Sequence, residues 1–191
     1  MRANGFSLVE ALVAVAILMI AAAIASPHFR PVVAEAHLLG AAEQFLGQFR
    51  LASSMAVRAG VYTGIRFEPH DDGTVWYAVY RDGNANGVRS IDIETGEDAL
   101  VSGPFPLAGG APTVRVGINP GTPAPPPDDG TLSGDPIRFG RSDILSFSPL
   151  GTATPGTFYL AGEFAQAAVR VTGGSARVRI MVCRGGRWRD R

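Results

Sequence analysis

Gly5-Phe6-Ser7-Leu8-Val9-Glu10 opens an apolar run that continues to Ser26 and is interrupted by a single charge, Glu10. Residues 11–25 carry no charge at all. A helix over residues 6–25 rises about 1.5 Å per residue and so spans about 30 Å, one bilayer core. A carboxylate within such a segment costs on the order of 2.5–3.5 kcal/mol on insertion scales, so it calls for a partner. A positive charge presented at bilayer depth by another subunit would supply one.

Behind this run the period stays helical. Leu38, Leu39, Ala42, Phe45, Leu46, Phe49, Ala52 and Ala56 recur at spacings of three and four, which marks one apolar stripe on a helix. Pro27 and Pro31 remove backbone donors and predict a bend or loosening at the join. Gly60 predicts the stop. From Val61 the period changes to two. Val61–Phe67 and Val75–Arg81 read as strands around a His70-Asp71-Asp72-Gly73 turn. Strands are further expected at Thr113–Ile118, Ile144–Phe147, Thr157–Leu160, Ala167–Val171 and Ala176–Val182. Residues 119–136, rich in proline and glycine, read as a long exposed and mobile loop.

The N-terminal pattern resembles that of type IV pilins and type II secretion pseudopilins. The resemblance implies that prepilin peptidase cuts between Gly5 and Phe6, that Phe6 becomes N-methylated, and that Glu10 contacts the N-terminal amine of a neighbouring subunit during assembly. Further along, Leu39–Ala59, Val61–Phe67, the Asp82-Gly83-Asn84 turn, Phe147-Ser148-Pro149-Leu150-Gly151 and Arg177-Val178-Arg179 resemble the GspH/FimT family of minor pseudopilins and pilins. The implied fold is α+β and pilin-like: a long N-terminal helix, its first half transmembrane, packed on an antiparallel β-sheet domain. The implied division is a leader at 1–5, a transmembrane or fibre-core helix at 6–26, its continuation over 27–60, and a periplasmic β domain at 61–191. The implied site is the inner membrane, with a single pass, and then the fibre. Two plainer readings of the N-terminus stay open. It is also compatible with a simple signal anchor, or with a signal peptide cut after Ala25 that frees a secreted β domain.

At 191 residues the chain allows one domain plus an anchor. Its single cysteine, Cys183, excludes an internal disulfide and reads as a small apolar strand residue. The net charge is zero, but unevenly spread. Residues 164–191 hold seven arginines against Asp190 alone, so +6; residues 1–163 hold ten arginines against sixteen acids, so −6. Such a split suggests an anionic partner for one end.

Three groups of residues bear on chemistry. His28, His37 and His70 share no ligand or catalytic spacing, and no phosphate-cradling glycine loop or zinc pattern occurs. The expectation is a protein that is not an enzyme, with no small-molecule substrate. Asp82-Gly83-Asn84-Ala85-Asn86-Gly87 has the first half of a calcium loop, with Asp82, Asn84 and Asn86 as candidate ligands, but Ile93 stands where a bidentate acid is needed. The same residues also make a plain Asn-Gly turn. The segment from Val169 to Arg179 reads as a hairpin around Gly173-Gly174, pairing Arg170 with Arg177. That would put Arg170, Arg177 and Arg179 on one face and valines on the other. Like charges so placed repel, and an anion would relieve them. Some FimT-like minor pilins bind DNA through a C-terminal Gly-Arg-x-Arg, which this hairpin matches in part. Arg187 and Arg189, flanking Trp188, would extend such a DNA surface. The alternative is a solvated or salt-bridged face.

Overall fold

The computed structural model describes residues 7–107 and 113–191. Helix α1 runs over Leu8–Ala59. Its start is closed by Ser7, and its end by Gly60 in the left-handed region at φ 69°, a conformation that costs glycine nothing. The segments Leu8–Ile24 and Phe29–Ala59 bend by 52° relative to each other. Pro27 falls between these segments in the sequence, and a proline carries no backbone N–H for a helical ladder. Among the described residues no single helix is long and apolar enough to cross a membrane; the bent pair meets that test by length and composition.

The two parts of α1 have opposite surroundings. Leu8, Leu12, Val15, Ile17, Leu18, Met19, Ile20 and Ile24 are each more than half exposed. Beyond the bend, Leu38, Ala42, Phe45, Phe49, Ala52 and Ala56 are at most 2% exposed. The stripe expected from the spacing is therefore the face α1 presents to the domain.

That face lies against two antiparallel sheets. The first contains β1 (Thr63–Pro69), β2 (Val75–Arg81), β3 (Ala99–Pro106) and, further along the chain, β6 (Ile144–Phe147), in the order β3-β2-β1-β6. The second is built from β4 (Arg115–Val116), β5 (Ile137–Arg138), β7 (Gly156–Ala161), β8 (Gln166–Thr172), β9 (Arg177–Arg184) and β10 (Arg187–Asp190). Its order is β10-β9-β8-β7-β4, and β5 also pairs with β7. A short helix α2 (Ser90–Thr95) precedes β3.

Aromatic rings join the three layers. Phe45 of α1 meets Phe49 and Phe158 edge-on, each at 4.5 Å between centroids, and Phe67 at 5.4 Å. Phe67 stacks on Phe139 at 5.5 Å. Edge-on and offset ring pairs of this kind add about 0.5–1.5 kcal/mol each beyond their buried area.

The structure adds detail that periodicity does not show. The short helix α2 and a 3₁₀ turn over Gly173–Ser175 lie among the strands. Strand β3 carries Gly103, Pro104 and Pro106, which obscure a strand pattern in the sequence; at the edge of a sheet, proline costs no interior ladder bond. The stretch 119–136 is largely exposed, as expected, but part of it packs on the second sheet. The second sheet carries Tyr159, Ala168 and Met181 on the face turned from α1, and Leu132, Ile118 and Ala124 cover them. Backbone bonds Ala124 N–H to Gly130 O and Leu132 N–H to Thr122 O, both 2.8 Å, shape this cover.

Candidate functional site

The N-terminal site starts from one turn of helix. The Glu10 carboxylate accepts a hydrogen bond of 2.9 Å from the Ser7 N–H, and Ser7 Oγ accepts one of 3.3 Å from the Val9 N–H. This is a capping box, which satisfies donors that a helix start leaves free. Gly5 and Phe6, the expected cleavage pair, lie outside the described residues.

The Asp82 turn is held by carboxylates acting as acceptors. Asp82 is 4% exposed. Its Oδ1 accepts from the N–H groups of Asn84 (3.0 Å) and Ala85 (2.9 Å), and its Oδ2 from that of Gly87 (2.9 Å). Asp98, 2% exposed, accepts from Gly83 N–H and Arg89 N–H. Asn84 Oδ1 accepts from Asn86 N–H at 3.2 Å. At Gly83 an added Cβ would lie 2.0 Å from the Glu97 carbonyl oxygen, so the close approach itself requires glycine. Asp82 and Asn84, two of the three candidate calcium ligands, thus spend side-chain oxygens on backbone donors. Among the described residues no group of three or more His, Cys, Asp or Glu side chains is placed to hold a metal. Of the histidines, His37 and His70 are exposed, and the His70 ring lies 6.0 Å from that of Trp76.

The arginine hairpin differs from its expected register. Thr172 pairs with Arg177, Val171 with Val178, and Arg170 with Arg179, so Arg170 does not face Arg177. The loop is four residues long, with Ala176 at φ 45°. Its position is set from outside, because the Gly173 carbonyl accepts from Ala153 N–H at 2.8 Å. A slip of two residues leaves the faces unchanged. Val169, Val171, Ile180 and Val182 are accordingly buried, and the arginines share the opposite face.

On that face, Arg170 reaches Asp128 at 2.5 Å, Pro126 O at 2.9 Å and Thr157 Oγ1 at 3.2 Å. Arg179 is ion-paired with Asp190, and Arg184 with Glu35 of α1. Arg177, Arg187 and Arg189 are exposed and form no ion pair among the described residues. Trp188 is half-buried and donates from Nε1 to Pro123 O at 2.9 Å, so its ring is part of the cover over the second sheet. The carboxylates of Asp128, Asp190 and Glu35 were missed from the sequence. Only Asp190 lies close enough in the chain for cross-strand pairing to have found it.

Cys183 is a free, buried thiol in β9, and burial pushes its pKa up. A thiol held protonated is a poor nucleophile.

Comparison with known proteins gives two matches. Residues 1–26 match the prokaryotic N-terminal methylation motif, and residues 41–186 match type II transport protein GspH. No curated protein and no solved structure matches the chain. The methylation motif implies processing by prepilin peptidase and partners among pilin or pseudopilin subunits. The family is structural rather than catalytic. With a long N-terminal helix, an antiparallel β domain and a match over most of its length, the chain belongs to the GspH family of pilin-like minor pseudopilins and pilins.

Proposed function

We propose that this protein is a minor subunit that initiates or caps a type II secretion pseudopilus or a type IV pilus. The observation that carries the reading is the contrast within α1. Leu8–Ile24 is apolar and exposed around its circumference, while Leu38–Ala56 is bound to the domain. A helix apolar on all sides needs lipid or other helices around it. The inner membrane supplies the first before assembly, and neighbouring subunits supply the second in the fibre core. In this reading cleavage between Gly5 and Phe6 frees an amine, Phe6 is methylated, and Glu10 meets the amine of an adjacent subunit. The β domain stays on the periplasmic side.

The test is mass analysis of the N-terminus of membrane-extracted protein. A methylated Phe6 start is expected. A start at Ser26 would replace this reading with that of a secreted β domain.

A further inference from the structure

We propose that the β9–β10 hairpin and the β7–β8 turn form a site for the phosphate headgroups of anionic lipids, where the domain faces the membrane. This rests on the reading of Leu8–Ile24 as the membrane anchor.

Placement comes first. Ala34 and Leu38 are the first buried residues on α1 after its bend. Glu35, between them, is ion-paired with Arg184 at the end of β9. Gly162, in the β7–β8 turn, lies against Leu38, where an added Cβ would be in ordinary contact at 3.4 Å from its Cδ2. Both turns therefore sit at the end of the domain that α1 reaches first from its exposed segment. Glu35 is eleven residues past Ile24, about 16 Å along a straight helix. The headgroup layer extends roughly 5–7 Å beyond the hydrocarbon on each side. With the anchor upright, the 52° bend lowers the height of Glu35 further. The remaining gap is comparable with a Debye length of about 8–10 Å.

The chemistry fits such a surface. A cavity of about 350 Å³ is lined by Glu35, Val182, Arg184, Arg187, Arg189, Asp190 and Arg191. Arg184 is paired with Glu35, and Asp190 with Arg179. Arg187, Arg189 and Arg191 have no carboxylate partner among the described residues. Guanidinium groups bind phosphate oxygens through paired N–H donors, which suits lipid phosphate. On the adjoining turn Phe164 is 45% exposed, beside the exposed Glu163. The two turns share one depression, lined by Phe164, Cys183, Gly185 and Gly186 among others. Phe164 thus adds an exposed aromatic ring at the same end of the domain, the kind of side chain that enters a bilayer interface. A nucleic-acid surface would have no need of placement beside the anchor.

Trp188 lies between two of these arginines and serves as the probe. The full chain carrying Trp76→Phe has Trp188 as its one tryptophan. It is reconstituted into phosphatidylcholine vesicles with or without phosphatidylglycerol, each containing a headgroup spin-labelled lipid. Flotation first reports whether the chain enters the vesicles. Trp188 should then be quenched at least about twofold more in the anionic vesicles. That excess should vanish in Arg187→Gln/Arg189→Gln/Arg191→Gln, persist with lysine at the same positions, and fall with added salt. Equal quenching in both vesicles, or an excess unchanged by the glutamines, overturns the proposal while the anchor reading stands. Failure to float with either vesicle overturns both. If lipid charge has no effect but a single-stranded oligonucleotide shifts Trp188 emission, these arginines bind nucleic acid and the lipid proposal is wrong.

Discussion

The Glu10 carboxylate accepts the Ser7 N–H at 2.9 Å, one turn back on its own helix. The residue that the proposed function assigns to a neighbouring amine therefore already has a partner within its own chain. A carboxylate has two oxygens and about four lone-pair sites, so both roles are compatible.

The two roles separate by charge. Glu10→Gln keeps an acceptor for the Ser7 N–H but removes the negative charge; Glu10→Ala removes both. Loss of the capping interaction alone costs about 1 kcal/mol. Both variants should still be cut by the peptidase, and both should lose fibre incorporation, measured by immunoblot of sheared fibres. Normal incorporation of Glu10→Gln would mean that Glu10 acts as a cap and not as a charge.

Gln166 is 2% exposed and joins three backbone segments. Its Nε2 donates to Gly117 O and Leu160 O, both at 2.9 Å, and its Oε1 accepts from Asn119 N–H at 2.7 Å. Gln166→Leu fills similar space but leaves these groups unpaired. A buried group without its hydrogen bond costs about 1–3 kcal/mol. The variant should be destabilised by about 2–4 kcal/mol in urea unfolding, with the start of the 119–136 segment opening first to hydrogen exchange.

Asp82→Ala removes the acceptor of three backbone N–H groups. The expected loss is about 2–3 kcal/mol, since hydrogen bonds to a charged group are worth more than neutral ones. If the turn is structural, wild-type Tm should be the same in millimolar calcium as in chelator. A clear rise with calcium would revive Asp82, Asn84 and Asn86 as ligands.

Asp143 gives a pH-dependent prediction. Burial, with the nearby Asp135 charge second, raises its carboxyl above the ordinary value. An acid whose folded pKa is raised binds its proton more tightly when folded. It therefore supports folding at low pH and opposes it as pH rises through the carboxylate range. Asp143 also sits at φ 50°, a conformation that asparagine tolerates. Asp143→Asn should stabilise the domain near neutral pH, and the gain should disappear below about pH 3.9, the ordinary aspartate value. Paired thermal melts at the two pH values check it; an equal shift at both would exclude the charge as the cause.

Much of the architecture was legible because it depends on local periodicity. Phe45, Phe49, Ala52 and Ala56 share a helix face by spacing alone, and all four are buried. Val75–Arg81 and Ile144–Phe147 have the expected bounds. Gly60 ends α1 because only its backbone takes the left-handed region without strain. The apolar run after Glu10, together with its offset from Gly5 and Phe6, sufficed to indicate a pilin-like N-terminus, while the GspH resemblance rested on segments further along the chain.

The state of the arginines was not legible. Sequence placed Arg170, Arg177 and Arg179 on one face, and that holds, since side-chain alternation survives a two-residue slip. Whether each is free or neutralised depends on carboxylates far away in the chain. Asp128 meets Arg170 because the proline-rich segment folds back over Tyr159 and Met181, and Glu35 meets Arg184 because α1 passes beside β9. The sequence by itself determined the buried stripe of α1 and the faces of the strands that carry a clear alternation, because these follow from repeat lengths of 3.6 and 2 residues. Only the tertiary structure decided which charges are paired, because an ion pair is a contact within about 4 Å between side chains whose separation in sequence carries no period.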